Sequence, residues 1–262
     1  MKKIIILLVI CLSTLTGCSA FKSYEGTTHH VIKYENISIE DFNQMVEVAT
    51  SKAASCSVAV IASANSIIST PSLGSGVIVG KTSMTYYVLT NRHVITNKGK
   101  TLDNIKIYFS SDESDFQRAE IIYFDEKVDI ALLKFTANKI YNVATITNED
   151  TINKGSFVIA YGSPYSLEFF GTANFGIVSS ERRELSDPMY NSELECKNIY
   201  IQHDAPINSG NSGGGLFDIY GNLIAINTLK LNGKSDDIIQ GMGFAIPIEV
   251  ILQIDAIKPF IN

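Results

Sequence analysis

Polar and apolar positions change period twice along this chain. Between Ser38 and Ala54 the apolar residues Phe42, Met45, Val46 and Ala49 recur at helical spacing behind an N-cap candidate, Ser38, with Glu40 and Asp41 in the first turn. One amphipathic helix is predicted there. From Cys56 the pattern turns to short runs rich in Val, Ile, Tyr and Phe: Val58 to Ala62, Ser75 to Val79, Tyr86 to Thr90, Ile105 to Phe109, Glu120 to Phe124 and Ile130 to Phe135. A second set follows at Phe157 to Tyr161, Thr172 to Ser179, Ile199 to Gln202, Gly215 to Phe217, Leu223 to Thr228 and Gly243 to Ala245. Turn residues separate the runs, which argues for antiparallel barrels or sandwiches rather than alternating strands and helices. Two sets of about six strands predict an all-β fold of two six-stranded barrels, with a boundary near residues 140–155. Ile248, Ile251, Leu252 and Ile254 predict a closing helix from Ile248 to Ile257.

The N-terminus follows a different logic. Met1-Lys2-Lys3 and the apolar run Ile4 to Leu12 have the charged start and short apolar stretch of a secretory signal, too short to span a bilayer comfortably. Its end, Leu15-Thr16-Gly17-Cys18, resembles the lipobox of bacterial lipoproteins, which implies cleavage before Cys18 and lipidation of that residue. The expected organisation is a signal over residues 1–17, a tether over 18–37 and a folded domain over 38–262. The tether is polar and carries His29 and His30, with no cluster of cysteines or carboxylates nearby for a metal site.

Of 262 residues, 45% are hydrophobic, enough for one large core or two small ones. The net charge is −6, and loss of Lys2 and Lys3 with the signal leaves 19 basic against 27 acidic residues, or −8. Nucleic acid is a poor partner for such a chain. The acidic run Asp112-Glu113-Ser114-Asp115 reads as a solvated loop. Beyond Cys11 and Cys18, the cysteines are Cys56 and Cys196; outside the cytoplasm they could pair or stay as two buried thiols, and their spacing offers no metal site.

Candidate chemistry centres on Asn208-Ser209-Gly210-Asn211-Ser212-Gly213-Gly214-Gly215-Leu216. Such a glycine run can bend tightly and aim successive N–H groups into one concavity with a hydroxyl at its rim, which suits an acyl-transfer site; a plain Gly/Ser surface loop is the other reading. The oxyanion-hole candidates are Gly210, Asn211 and Ser212. His93 stands where the apolar strand Tyr87 to Thr90 gives way to polar residues, and Asp129 interrupts an apolar run. Singly, the first reads as a structural histidine and the second as a turn cap. Jointly they change the reading, because a serine nucleophile needs a base and the base needs an orienting carboxylate.

In these segments the chain resembles the trypsin-like serine proteases of the HtrA/Deg type. The residues that carry the resemblance are Gly74-Ser75-Gly76-Val77-Ile78-Val79, Leu89-Thr90-Asn91-Arg92-His93-Val94, Asp129-Ile130-Ala131-Leu132-Leu133-Lys134, Gly210-Asn211-Ser212-Gly213-Gly214 and Gly243-Phe244-Ala245-Ile246-Pro247. It spans roughly Asp41 to Ile254. It implies a chymotrypsin-like double barrel with the site in the cleft, His93 as general base, Asp129 as its orienter and Ser212 as nucleophile, with no cofactor and no metal. It further implies a substrate pocket at Ile207, Ile226, Asn227 and Thr228. No acid lies between Ala205 and Ser209, so an apolar P1 residue is expected. His203 and Asp204 read as a strand end rather than a subsite.

Two departures from the family pattern, Ser209 in place of a proline and Gly215 in place of proline or alanine, predict a loosened loop and leave open whether its oxyanion hole is preformed or forms only with substrate. No PDZ domain is expected after Ile257, and no activation by propeptide removal. The resemblance raises a homotrimer held by N-terminal aromatics, for which Phe21, Tyr24 and Tyr34 are the candidates. The expected protein is a lipid-anchored endopeptidase of the bacterial cell envelope acting on protein or peptide substrates. Two readings stay beside it: a catalytically weak lipoprotein that binds peptides or unfolded proteins, and a hydrolase of non-peptide esters.

Overall fold

The computed structural model describes residues 37–64, 70–147, 152–186, 197–232 and 238–261. The signal, Cys18, the tether with its histidines and aromatics, and Cys196 lie outside these. From Ile39 onward the chain forms one compact unit.

Helix α1, Ile39–Cys56, leads into strand β1, Ser57–Ser63. Strands β2 (Ser72–Thr82), β3 (Thr85–Thr90), β4 (Thr96–Asn97), β5 (Lys100–Thr101), β6 (Asn104–Tyr108), β7 (Phe116–Asp125) and β8 (Ile130–Thr136) follow. Then come β9 (Phe157–Gly162), β10 (Thr172–Ser186), β11 (Lys197–His203), β12 (Gly215–Asp218), β13 (Leu223–Asn232), β14 (Ile238–Pro247) and helix α2 (Ile248–Leu252). Two closed antiparallel barrels result, in the orders β1-β2-β3-β8-β7-β6 and β10-β11-β14-β13-β12-β9. The predicted all-β pair of six-stranded barrels is what the chain forms.

Side-chain alternation explains why β8 and β9 are apolar without interruption. Ala131, Leu133 and Phe135 fill the first barrel with Ile78 and Val88, whereas Ile130 and Leu132 point out of it, to a cluster shared with Val77, Val79 and Leu89. In β9, Val158 and Ala160 fill the second barrel while Ile159 and Tyr161 join that shared cluster, with Phe217 and Phe244. Strands buried on both faces cannot alternate with polar residues. Each fully buried Leu or Ile contributes about 1.5–3 kcal/mol, so this cluster fixes one barrel against the other. Helix α1 covers it with Ala49, Ala53 and Cys56. Cys56 is a buried thiol whose pKa burial pushes up to about 12.

Three elements differ from expectation. The closing helix stops at Leu252, because Gln253 and Ile254 bond three residues back and tighten the chain before a short 3-10 turn at Lys258–Phe260. The hairpin β4–β5 is an addition; Lys98 and Gly99 both take positive φ (50° and 75°), as a tight two-residue turn requires. Strand β10 runs on to Ser186, paired with β11 through two register shifts.

Candidate active site

His93, Asp129 and Ser212 come from three separate turns that the barrels bring together. His93 lies in the 3-10 turn Arg92–Ile95 at the end of β3. Asp129 ends the β7–β8 turn, with only 3% of its surface exposed and φ at +58°. A non-glycine residue in that region is strained, and Asp tolerates it better than most. Its surroundings hold it there: the Asp129 carbonyl accepts from the Arg92 N–H (3.2 Å) and the Asn91 side chain (3.0 Å).

Three donors converge on the Asp129 carboxylate. Oδ1 accepts the His93 backbone N–H at 3.0 Å, and Oδ2 accepts both His93 Nδ1 at 2.7 Å and the Thr228 hydroxyl at 2.9 Å. A buried carboxylate is costly unless so satisfied, and this one fixes the ring with Nδ1 protonated and Nε2 free to accept. The Ser212 hydroxyl donates to the Thr228 carbonyl at 3.3 Å. Among the described residues it makes no hydrogen bond to His93.

The glycine run is built rather than loose. Gly210 and Gly213 take φ of +97° and +85°, and a Cβ on Gly213 would come within 2.2 Å of the Ser75 carbonyl oxygen. The Ser209 carbonyl accepts the Tyr165 N–H at 2.8 Å. In a trans peptide the Gly210 N–H must then point the opposite way. Among the described residues, neither the Gly210 nor the Ser212 N–H has an acceptor, as an oxyanion hole awaiting its anion requires. Asn211, expected to share in the hole, does not, because its N–H is spent on the Asn208 carbonyl at 2.9 Å. Gly215 does not loosen the loop either; it starts β12, paired with Tyr161 and Ile226, and a Cβ there would strike the Phe217 ring at 2.3 Å. Both N–H groups remain without an acceptor in this packed loop.

The four residues expected to line a substrate pocket are adjacent to this loop but differently employed. Ile207 packs into the second barrel with Leu216 and Ala225. Ile226 is fully buried in the shared cluster, so its side chain cannot face a substrate. Asn227 donates to the Gly215 carbonyl at 2.9 Å, and the Thr228 hydroxyl serves Asp129. Only backbone from this stretch can line the cleft. Thr228, Asn91, Ser75 and Tyr165 are the supporting residues that motif spacing does not reveal, although Asn91 and Ser75 stand inside the motifs themselves.

His203, at the end of β11, is fully buried, and both ring nitrogens lack a hydrogen-bond partner among the described residues. Burial pushes its pKa down to about 4, with the Asn227 side chain, Asp204 and the Ala205 backbone offsetting part of the shift. The folded protein therefore keeps His203 neutral, while the unfolded chain binds a proton below about pH 6.5. Stability should fall as pH drops from about 6.5 to about 4, by on the order of 3 kcal/mol for this group alone. Denaturant melts of the wild type and His203→Gln across that range should show a flatter pH dependence in the variant; parallel curves would contradict it. Asp204 is exposed and its carboxylate caps the Ile177 N–H.

Residues 74–226 match the family described as the trypsin-like peptidase domain. This span is more than half of the chain and contains all three residues of the constellation. The chain belongs to the trypsin-like peptidase family. Among its relatives, the serine protease Do-like HtrA of Lactococcus lactis subsp. cremoris is 35% identical over 194 residues, 73% of this chain and 46% of that protein. The serine protease HTRA1 of Xenopus tropicalis is 41% identical over 181 residues, 68% and 34% of the two chains. A solved structure of the HtrA-type protease AlgW with tripeptide superposes with a TM-score of 0.64 at 32% identity, covering 80% of this chain and 62% of that one. This trypsin-like chain thus spans less than half the length of these two sequence relatives.

Proposed function

We propose that this protein is a serine endopeptidase that cleaves peptide bonds through Ser212, His93 and Asp129. The observation that carries the reading is the Asp129 carboxylate bonded to His93 Nδ1 in a chain whose residues 74–226 match the trypsin-like peptidase domain. Ser212 Oγ attacks the scissile carbonyl carbon and gives its proton to His93 Nε2, and the N–H groups of Gly210 and Ser212 hold the oxyanion. His93 passes that proton to the leaving amine as the C–N bond breaks. Water then repeats the sequence on the acyl-enzyme and frees Ser212. P1 is apolar, since a charged side chain would lose its hydration with no counter-charge between Ala205 and Ser209.

A fluorophosphonate should label wild-type protein on Ser212, located by peptide mass spectrometry, and leave Ser212→Ala unmodified. Peptide binding without labelling would instead favour a binding module, and turnover of esters but not peptide amides a non-peptide hydrolase.

The setting we infer is the bacterial cell envelope, with lipid on Cys18 after removal of residues 1–17. The sequence motif supports the lipid, and similarity to a protein named a probable periplasmic serine endoprotease DegP-like from Pseudomonas fulva, 36% identical over 183 residues, supports the envelope. Cys18→Ala should leave the membrane fraction or stall in processing, and a mature-length variant still on membranes would refute the anchor. A homotrimer held by Phe21, Tyr24 and Tyr34 is part of the same proposal, and the folded domain carries an exposed aromatic patch of its own. Phe157 and Phe175 stack at 5.2 Å, Phe42 meets both edge-on, and the first two are 43% and 41% exposed. Sedimentation equilibrium of the mature protein at a monomer mass would remove that part.

A further inference from the structure

We infer that Tyr165 is a positioning residue whose strained backbone turn aims the Gly210 N–H into the oxyanion hole, a role that deepens the serine-peptidase reading and rests on it. The Ser166 N–H donates to the Pro164 carbonyl, two residues back, at 2.7 Å, and Tyr165 between them takes φ of +61°. Together these mark the rarer, positive-φ form of the γ-turn, in which a residue with a side chain is strained. The Tyr165 ring is 69% exposed, so burial of the side chain does not hold the turn. From outside, the turn is held by the bond its Tyr165 N–H makes to the Ser209 carbonyl at 2.8 Å. Gly210 closes on the same place. A Cβ there would lie 2.5 Å from the Ser163 carbonyl oxygen and 2.9 Å from the Tyr165 nitrogen.

Two peptide units in series connect this turn to the hole. In the Pro164–Tyr165 peptide the carbonyl accepts from Ser166, and the N–H on the opposite side donates to Ser209. In the Ser209–Gly210 peptide the carbonyl accepts from Tyr165, and the N–H on the opposite side is the one that meets the oxyanion. Among the described residues the Ser209 carbonyl has no other donor and the Gly210 N–H has no acceptor, so the Tyr165 bond alone fixes the direction of that peptide. Without it, a change in ψ of Ser209 and φ of Gly210 turns the peptide over, and at φ +97° glycine permits this at low cost. The next peptide stays where it is, because the Ser75 hydroxyl holds the Gly210 carbonyl and the Asn208 carbonyl holds the Asn211 N–H. The series also polarises itself. Each peptide that accepts a hydrogen bond becomes a better donor, by about 10–30% per bond, and the last donor in the line is the Gly210 N–H.

The test replaces the Tyr165 N–H with an ester oxygen, by inserting the α-hydroxy acid analogue of tyrosine at a reassigned stop codon, so that the ring stays and the hydrogen bond goes. Tyr165→Gly is the companion variant, since glycine keeps the N–H and takes φ of +61° without strain, and Ser212→Ala reports background hydrolysis. Active sites are counted by fluorophosphonate titration so that loss of folded protein is not mistaken for loss of rate. Removing one oxyanion donor outright costs roughly 10²–10³ in kcat, so a donor left in place but misaimed should cost about 10–10² in the ester. KM should stay within about threefold. Tyr165→Gly should lose no more than about fivefold in kcat, from a looser turn. A peptide boronate, which forms a tetrahedral adduct with the serine, should lose affinity for the ester variant in proportion to kcat/KM. With ¹⁵N-glycine labelling, the Gly210 N–H proton should move downfield in the wild-type adduct and less in the ester. Normal kcat per titrated site in the ester would overturn the inference, as would a Tyr165→Gly variant that loses as much as the ester. If wild type neither takes the label nor exceeds Ser212→Ala, the peptidase reading fails by itself. The crystal structure of the ester variant then decides: a Ser209–Gly210 peptide turned from its present direction supports the role of Tyr165, and an unchanged one overturns it.

Discussion

Replacing Ser212 with alanine is expected to lower kcat on an unfolded protein such as casein by roughly 10⁶, with a loss of similar size for His93→Ala. The two effects should be nearly equal and should not multiply in the double variant, because either change breaks the same proton transfer. What survives is the catalysis supplied by binding and by the Gly210 and Ser212 N–H groups, on the order of 10³–10⁴ over water. Ser212→Ala gives the fold little to respond to, whereas His93→Ala takes one of three donors from the buried Asp129 carboxylate and should lower the melting temperature without unfolding the chain. His93 is partly exposed in its turn, and the Ser212 side chain makes one 3.3 Å bond, to the Thr228 carbonyl. Circular dichroism of both variants should match wild type. A folded Ser212→Ala that digests casein at the wild-type rate would end the serine-peptidase assignment.

The readable parts of this chain were those written locally. Continuous apolar runs in β1, β8 and β9 and the glycines around Ser212 each follow from a few consecutive residues, so both barrels and the loop around Ser212 can be anticipated. The supporting bonds are of another kind. Thr228 reaches Asp129 across 99 positions, Ser75 reaches Gly210 across 135, and nothing in the sequence near either residue marks its partner. Its place in the sequence therefore points Thr228 to a substrate pocket, whereas its hydroxyl serves the carboxylate. Gly215 was read as slack because a glycine in sequence signals freedom. In the fold its missing Cβ makes room for the Phe217 ring, and close packing is the opposite of slack. The β4–β5 hairpin was missed for want of any apolar alternation in Thr96 to Thr101.

Asp129→Asn should cost roughly 10⁴ in kcat/KM while leaving the fold intact, and the three donors around the carboxylate explain why. The amide offers one oxygen and one NH₂ where the carboxylate offered two oxygens. Placed with NH₂ toward the His93 backbone, it sets donor against donor, and a backbone N–H cannot turn away. Placed with its oxygen there, it keeps the 3.0 Å bond and presents NH₂ to His93 Nδ1 and to the Thr228 hydroxyl. The hydroxyl can rotate to accept, so this second arrangement wins. Nδ1 must then be the acceptor, the ring proton moves to Nε2, and the nitrogen facing Ser212 can no longer take a proton. Thr228→Val removes only one of the three donors and leaves the tautomer to the carboxylate, so its loss should be far smaller, about tenfold. Kinetics on active-site-titrated protein, with ¹⁵N spectra of the imidazole to read which nitrogen carries the proton, would check both. An Asp129→Asn enzyme within tenfold of wild type, or one whose ring remains protonated at Nδ1, would remove Asp129 from the mechanism.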